Sequence, residues 1–504
     1  MRSRPHRAAR GLAAVALLVS VTAAGCGNGK SILEIGGATV PTLPPPDSSG
    51  EPTTIPTTTA VPEAQLPPCP VDALASAPGP VPITFWHAMT ATNADALTQL
   101  TDVYNASQTN VSVTLVAQGS YEDLIEKYKT ASAADRPTLV QMPEYTLQLL
   151  ADSDTVIPVQ SCINADSYPL DDFLPRAVAY YTLRSALQGM PFNISNPVLY
   201  YNKAAFVKAG LDPEKPPLSL EELRAASQAL VDSQAVKYGL AIDDGIDGGG
   251  GWFLEQWLAK ANELYANNEN GRAAPATNVL FAGPTGVELL TFLQQMVRDG
   301  LAIDVGPNTS LPQNLLKLVD PKEPAAMTIH TTAALGPVLD ILKAGGQAGI
   351  TAADLGISPM PGPTVNRGVL VGGAALWLPK GKPDVETAAA WDYLKYLVAP
   401  EQQSKWAAAT GYVPVRTSAV DLPPIKELYT TDPRFKVGFD QLLAAADTPV
   451  EAGPVLGPQR EVRILTSQAV EAILVGQADV AQTLAQTAQQ ADRLIAQWTS
   501  SVGG

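Results

Sequence analysis

Cysteine is nearly absent: Cys26, Cys69 and Cys162 are the only 3 in 504 residues, and their spacing matches no zinc site. Histidine is as scarce. Beyond residue 25 only His87 and His330 remain, so a metal-dependent hydrolase lacks the cluster of imidazoles and carboxylates it needs. Positive charge is the third shortage, with 33 Lys and Arg against 49 Asp and Glu and a formal net charge of -16. Without Arg2, Arg4, Arg7 and Arg10 the balance is 29 − 49, about −20. No dense basic run follows residue 25, which excludes a nucleic-acid partner, because a phosphate backbone needs a basic face to approach. A Gly-x-Ser-x-Gly elbow, a P-loop and a dinucleotide fingerprint are also missing. No cofactor and no metal are expected. Among 49 acids many accidental carboxylate pairs occur and none is singled out, which leaves a secreted hydrolase as the remote alternative.

Long apolar runs are lacking too. Arg2 to Arg10 precede an apolar stretch from Gly11 to Thr22, too short to span a bilayer, so residues 1–25 read as an export signal. Ala23-Ala24-Gly25-Cys26 resembles a bacterial lipobox, with Ala23 where Leu is usual. The resemblance makes Cys26 a lipidated mature N-terminus on the extracytoplasmic face of the plasma membrane; the alternative is ordinary cleavage beside an unrelated cysteine. In that oxidising compartment Cys69 and Cys162 form an even pair that a disulfide could join, provided their Cα atoms come close enough. Residues 26–81, rich in Pro and Thr, lack the free N–H groups for regular structure and read as an extended tether.

The folded part begins with the β-rich run Pro82 to Trp86. Asn93–Ser107 has helical apolar spacing at Leu97, Leu100, Val103 and Tyr104. Val111–Val116 alternates as a strand, Tyr121–Ala134 reads as helix, and Pro137–Met142 is a third strand. Pro197–Tyr201 is a strand, Ser219 is a helix N-cap with Glu222 3 residues on, and Ala325–Ile329 and Gly368–Leu378 are buried strands. The C-terminal helix should bury Val480, Leu484, Ala488, Ala491, Leu494, Ile495 and Trp498. Strands separated by helices predict an α/β protein with a largely parallel sheet.

Several motifs then stand in order: Phe85-Trp86-His87-Ala88-Met89, Gly119-Ser120-Tyr121, Pro191 to Lys203, Lys208 to Pro213, Val371 to Trp377, and Thr410 to Val415. Together they resemble the type 2 periplasmic solute-binding proteins of ABC importers, most of all the glycerol-3-phosphate-binding, UgpB-like subgroup and its actinobacterial relatives. The resemblance runs from about Pro82 to the C-terminus. It implies a two-lobed periplasmic-binding fold with a ligand cleft between lobes, 82–192 plus 327–380 forming lobe 1 and 193–326 plus 381–504 forming lobe 2. It also implies a monomeric, lipid-anchored receptor that is not an enzyme and serves ABC permease transmembrane subunits. Its small polar solute would be a glycerol-3-phosphate-like molecule or a glycerophosphodiester, or alternatively an oligosaccharide.

The resemblance places ligand contacts on Tyr121, Glu144, Ser195, Thr331, Gly373, Tyr412 and Arg463. Each has a plainer reading. Glu144 follows a strand, where the carboxyl edge of a sheet collects ligands, or is a surface carboxylate. Arg463 can grip phosphate in a bidentate fork, or lies on a helix surface. Ser195 offers a hydroxyl where the chain crosses between lobes, or bonds its own turn. Thr331 keeps a hydroxyl where the subgroup carries serine, or merely ends a strand. Gly373 lets backbone approach the solute, or relieves a crowded sheet. Tyr121 and Tyr412 offer a phenol and a ring face, or simply pack. Where the subgroup carries a tryptophan about 3 residues before the position of Trp252, this chain has Gly248-Gly249-Gly250-Gly251. The expectation is a wider cleft, with Trp252 as substitute ring face or as core aromatic. His330, beside Thr331, could titrate near a bound phosphate and raise affinity as pH falls.

Overall fold

The computed structural model describes residues 66–308, 312–344, 350–363, 369–446 and 448–502. Cys26, the signal 1–25 and the first part of the tether lie outside them. Among the described residues eleven strands build two sheets, six in the first and five in the second. β1 (Val81–His87) alternates buried and exposed residues before its last three positions are all buried, as a strand does when it runs under covering helices. β2 (Val111–Ala117) lies parallel to it over seven residue pairs, and β3 (Leu139–Pro143) flanks its other side, also parallel. β10 (Gly372–Pro379) runs antiparallel to β3 and carries both β4 (Met190–Ser195) and the two-residue strand Val156–Ile157 on its far side.

The second sheet has the order β7 (Ala302–Asp304), β6 (Tyr238–Ile242), β8 (Ala325–Thr331), β5 (Pro197–Asn202), β9 (Leu355–Pro359). β7 and β8 are parallel to β6, and β5 is antiparallel to both β8 and β9. One residue, Asn196, separates β4 in the first sheet from β5 in the second. The chain therefore changes lobe within Ser195-Asn196-Pro197, and it returns between β9 and β10.

Helices cover the sheets where the sequence marks them. In α1 (Ala91–Ser107) Leu97, Leu100 and Tyr104 are buried, whereas Val103 is 53% exposed. α2 (Tyr121–Thr130) starts on a reciprocal cap between Ser120 and Asp123, and the helix Leu220–Asp232 on the same device between Ser219 and Glu222. α3 (Trp252–Lys260) is buried all round. α4 (Pro284–Arg298), α7 (Gln459–Leu474) and α8 (Val480–Val502) pack together beside the second sheet. Val480, Leu484, Ala491 and Ile495 make the buried stripe of α8.

Three boundaries differ from expectation. β8 and β9 fall within the stretch 327–380 assigned to the first lobe, yet both pair into the second sheet. Asn193–Ser195, assigned to the second lobe, pairs with β10 in the first. α5 (Asp384–Leu397) and α6 (Pro400–Thr410) pack against β1, β10 and α1, also in the first lobe. Local pattern marks a strand or helix, but its sheet partner is a long-range choice that periodicity does not encode. The tether also ends before residue 81. Val71–Ser76 forms a 3-10 turn packed on α5, and Cys69 is joined to Cys162 with Cα atoms 4.9 Å apart across a separation of 93 residues. The cross-link and this packing order a segment whose prolines alone would leave it extended. Among the described residues no helix is long and apolar enough to cross a membrane.

Candidate functional site

The carboxyl edges of β3 and β6, the crossover at Asn196 and the helices α2, α3 and α7 bring most of the expected residues together. Gly119, at φ 93°, turns the chain out of β2 into the Ser120 cap, and Tyr121 becomes the first residue of α2. A relay of amides fixes its phenol. Ala88 N donates to Gln141 Oε1 at 2.9 Å, Gln141 Nε2 donates to Asn193 Oδ1 at 2.8 Å, and Asn193 Nδ2 donates to the Tyr121 hydroxyl at 3.0 Å. Tyr412 reaches the same hydroxyl group. Its ring stacks on Trp406 at 5.4 Å, which in turn stacks on Phe192 at 5.1 Å. Burial pushes both phenols above their ordinary range, so they stand as neutral donors.

Glu144 follows β3 directly and is buried. Arg463, on α7, is 0% exposed and meets it at 2.9 Å from Nη1 to Oε1. The rest of the guanidinium is engaged elsewhere. Nε and Nη2 donate to the two oxygens of Glu255, each at 2.8 Å, and Gln459 Nε2 donates to the same carboxylate at 3.1 Å. Asp247 stands 3.8 Å from Nη1, and the Tyr145 ring lies 4.9 Å beneath the guanidinium. The fork expected to grip phosphate is thus occupied by a carboxylate inside the protein. Burial opposes the Arg463 charge, but Glu255 and Glu144 outweigh it and hold its pKa well above the ordinary value. Burial raises Glu144 to about 7, against the pull of Arg463.

Trp252 opens α3 one turn before Glu255. Its ring edge lies on Gly372, where a Cβ would come within 2.1 Å of Cζ2, and its indole N–H is buried without an acceptor. Gly373 has φ 87°, and a Cβ there would lie 2.0 Å from the Asn193 carbonyl oxygen. These two glycines permit close contact of β10 with Trp252 and β4. Ser195 is buried opposite Gly372 in the register. Thr331 ends β8 opposite Pro197, where its hydroxyl accepts from Ala333 N at 3.3 Å. It is at the crossover and bonds to none of the other site residues.

Two expectations are corrected. Gly248–Gly251 does not open the cleft beside Trp252. Cβ atoms on Gly248, Gly249 and Gly250 would lie 2.5, 2.8 and 1.9 Å from atoms of Asp243 and Asp244, and one on Gly251 would lie 2.1 Å from the Ile246 oxygen. The run packs a loop onto the end of β6. His330 is no sensor between pH 5.5 and 8, because burial lowers its pKa to about 4; its ring faces Tyr200 and Asn314.

Glu255, Asp247, Asn193, Gln141 and Arg460 were not singled out by sequence. Arg460 pairs with Glu122, which also accepts from the Tyr145 hydroxyl at 2.9 Å. The i, i+3 spacing of Trp252 and Glu255 and the i, i+4 spacing of Gln459 and Arg463 were the available signals. Among the described residues no three ligating side chains gather into a metal site.

A family model described as bacterial extracellular solute-binding protein matches residues 99–437. The sn-glycerol-3-phosphate-binding periplasmic protein UgpB of Pectobacterium atrosepticum is 28% identical over 425 residues, covering 83% of this chain and 92% of that protein. Among solved structures, UgpB from Mycobacterium tuberculosis in complex with glycerophosphocholine aligns with a TM-score of 0.68 at 21% identity, over 82% of this chain and 98% of that one. The cyclic alpha-maltosyl-1,6-maltose binding protein from Arthrobacter globiformis aligns with a TM-score of 0.65 at 23% identity, over 83% and 99%. At these identities the two structures establish a shared two-domain fold.

Proposed function

This chain belongs to the bacterial extracellular solute-binding proteins, and from that membership we propose that it captures a glycerophosphodiester between its lobes and delivers it to an ABC permease. The carrying observation is the buried Arg463, already matched by Glu255 and Glu144. A guanidinium flanked by two carboxyl groups presents donors and acceptors side by side, which suits the vicinal hydroxyls of a glycerol moiety. It has little net charge left for a phosphate dianion. The neutral donors around it, the Tyr121 and Tyr412 hydroxyls, Ser195 and the orphaned indole N–H of Trp252, suit the single charge of a diester. Glu144 from one lobe already meets Arg463 and Glu255 from the other, and a solute held by groups of both lobes would add to the contacts that favour this closed form. Cys26 would carry the lipid anchor, and the receptor would act as a monomer that releases its solute unaltered.

The same donor and acceptor array fits the diols of an oligosaccharide, which is the second reading. Titration of the purified protein with glycerophosphocholine, sn-glycerol-3-phosphate and maltose separates them. At about one hundred times its dissociation constant a bound solute stabilises by about 2.7 kcal/mol. Stabilisation by glycerophosphocholine above that by the phosphomonoester is expected. Stabilisation by maltose alone overturns the phosphodiester reading, and chemical turnover of a bound solute overturns the receptor.

A further inference from the structure

Beneath the loop that carries Asp247 and leads into Trp252, two neighbouring parallel strands bring together acids that the solute site does not use. Asp244 follows β6, and Asp304 ends β7, opposite Ile242 in the register. Asp244 is 1% exposed, and neither of its carboxyl oxygens has a hydrogen-bond donor. Asp304 Oδ1 accepts from Gly306 N at 3.0 Å, while its Oδ2 is buried without a donor. The two side chains lie within hydrogen-bonding reach of each other. The other charged groups that bear most strongly on the pair are acids as well: Asp243 beside it and Glu471 on α7. Asp243 is satisfied by Gly245 N, Asn308 N and Asn308 Nδ2. Two carboxylates so placed cannot both be ionised at low cost. Among the described residues no third ligating side chain joins them to make a metal site. A proton between the two carboxyls is then the simplest neutralisation.

We propose that Asp244 and Asp304 share one proton, and that this acid–carboxylate pair positions the 245–252 loop and α7 for solute capture. The pair acts through backbone. The Asp244 carbonyl accepts from Ser467 Oγ at 2.7 Å, one turn along α7 from Arg463. Gly250 packs on that carbonyl, where a Cβ would come within 1.9 Å of the oxygen. Loss of the shared proton leaves two like charges in contact, and the strand ends that hold Gly250 and Ser467 must give. Burial, with Asp304 next, raises Asp244 to about 8, so the proton is retained through neutral pH and leaves above it. A folded-state carboxyl held above its unfolded value binds a proton that the unfolded chain releases. Stability from this group is therefore full in acid and is lost as pH rises towards 8.

The experiment compares unliganded wild type with Asp304→Asn, and with Asp244→Asn should the first fail to fold, from pH 6 to 9. Either amide donates to the remaining carboxylate at every pH. Thermal unfolding should show the wild type losing more Tm than the variant as pH rises, and hydrogen exchange over 245–252, corrected for intrinsic rates, should quicken above pH 8 in the wild type only. Parallel Tm profiles overturn the shared proton, as does a Tm rise with millimolar calcium in the wild type but not the variant, which assigns the pair to a cation. Unchanged exchange overturns the positioning role. Glycerophosphocholine titrations on the same proteins should weaken above pH 8 in the wild type only. This last arm rests on the function proposed above; no binding at any pH refutes that function, while the unliganded measurements still decide the pair.

Discussion

Replacing Arg463 by alanine should unfold the protein more readily at high pH than at low pH. The side chain is 1% exposed and donates to Glu144 once and to Glu255 twice. Without it two buried carboxylates lose their countercharge, and breaking a buried pair from one side typically costs about 3–5 kcal/mol. That cost applies at pH 8. At pH 5 Glu144, already raised to about 7 in the presence of Arg463, is protonated in wild type and variant alike, so only Glu255 is left stranded and roughly half the loss is expected. Urea unfolding of both proteins at pH 5 and pH 8 measures this directly. A loss below about 1 kcal/mol at pH 8, the range of an exposed ion pair, or an equal loss at both pH values would refute the buried triad. Adding Glu144→Gln and Glu255→Gln to Arg463→Ala should restore part of the stability, since neutral groups no longer need the guanidinium.

Glu144→Gln alone should flatten the pH dependence of stability. The wild type holds a proton on Glu144 that the unfolded chain releases, so this group's stability falls as pH climbs from about 4.5 to about 7, and urea unfolding should show a shallower slope in the variant, where Asp244 and Asp247 still contribute theirs. Reducing the Cys69–Cys162 bond opens a separation of 93 residues, and chain entropy alone puts the loss at about 4–5 kcal/mol in denaturant titrations with and without reductant. Gly373→Ala should destabilise by more than about 1 kcal/mol and weaken solute capture, because φ is positive there and the Asn193 carbonyl leaves no room for a Cβ. His330→Ala should leave the pH profile of solute affinity between pH 5.5 and 8 unchanged, since His330 stays neutral over that range; a changed profile in titration calorimetry would contradict its burial.

Much of the architecture was legible because it is local. Ser219 with Glu222 marks a helix start in any context, and the alternation in Val111–Val116 makes a strand whatever it pairs with. Val103 shows the limit: helical spacing put it on the apolar face, but that face of α1 ends at Leu100 and Tyr104. The motifs from Phe85 to Tyr412 pointed to the family before any contact was known, because each holds residues needed at strand ends and crossovers. The amide relay from Ala88 through Gln141 and Asn193 to Tyr121 was invisible, since its members stand just after one strand, on two others and on a helix.

The glycine run marks the boundary between the two kinds of information. From sequence it was a lost ring and a wider cleft; in the fold the places its Cβ atoms would take are filled by Asp243, Asp244 and Ile246. By itself the sequence determined the α/β class, the order of elements and the chemistry available: abundant carboxylates, few cations and few histidines. Only the tertiary structure decided that Arg463 spends its fork on Glu255 and that Asp244 meets Asp304. The physical reason is that charge pairing and desolvation depend on which distant residues share a buried volume, and no local pattern carries that distance.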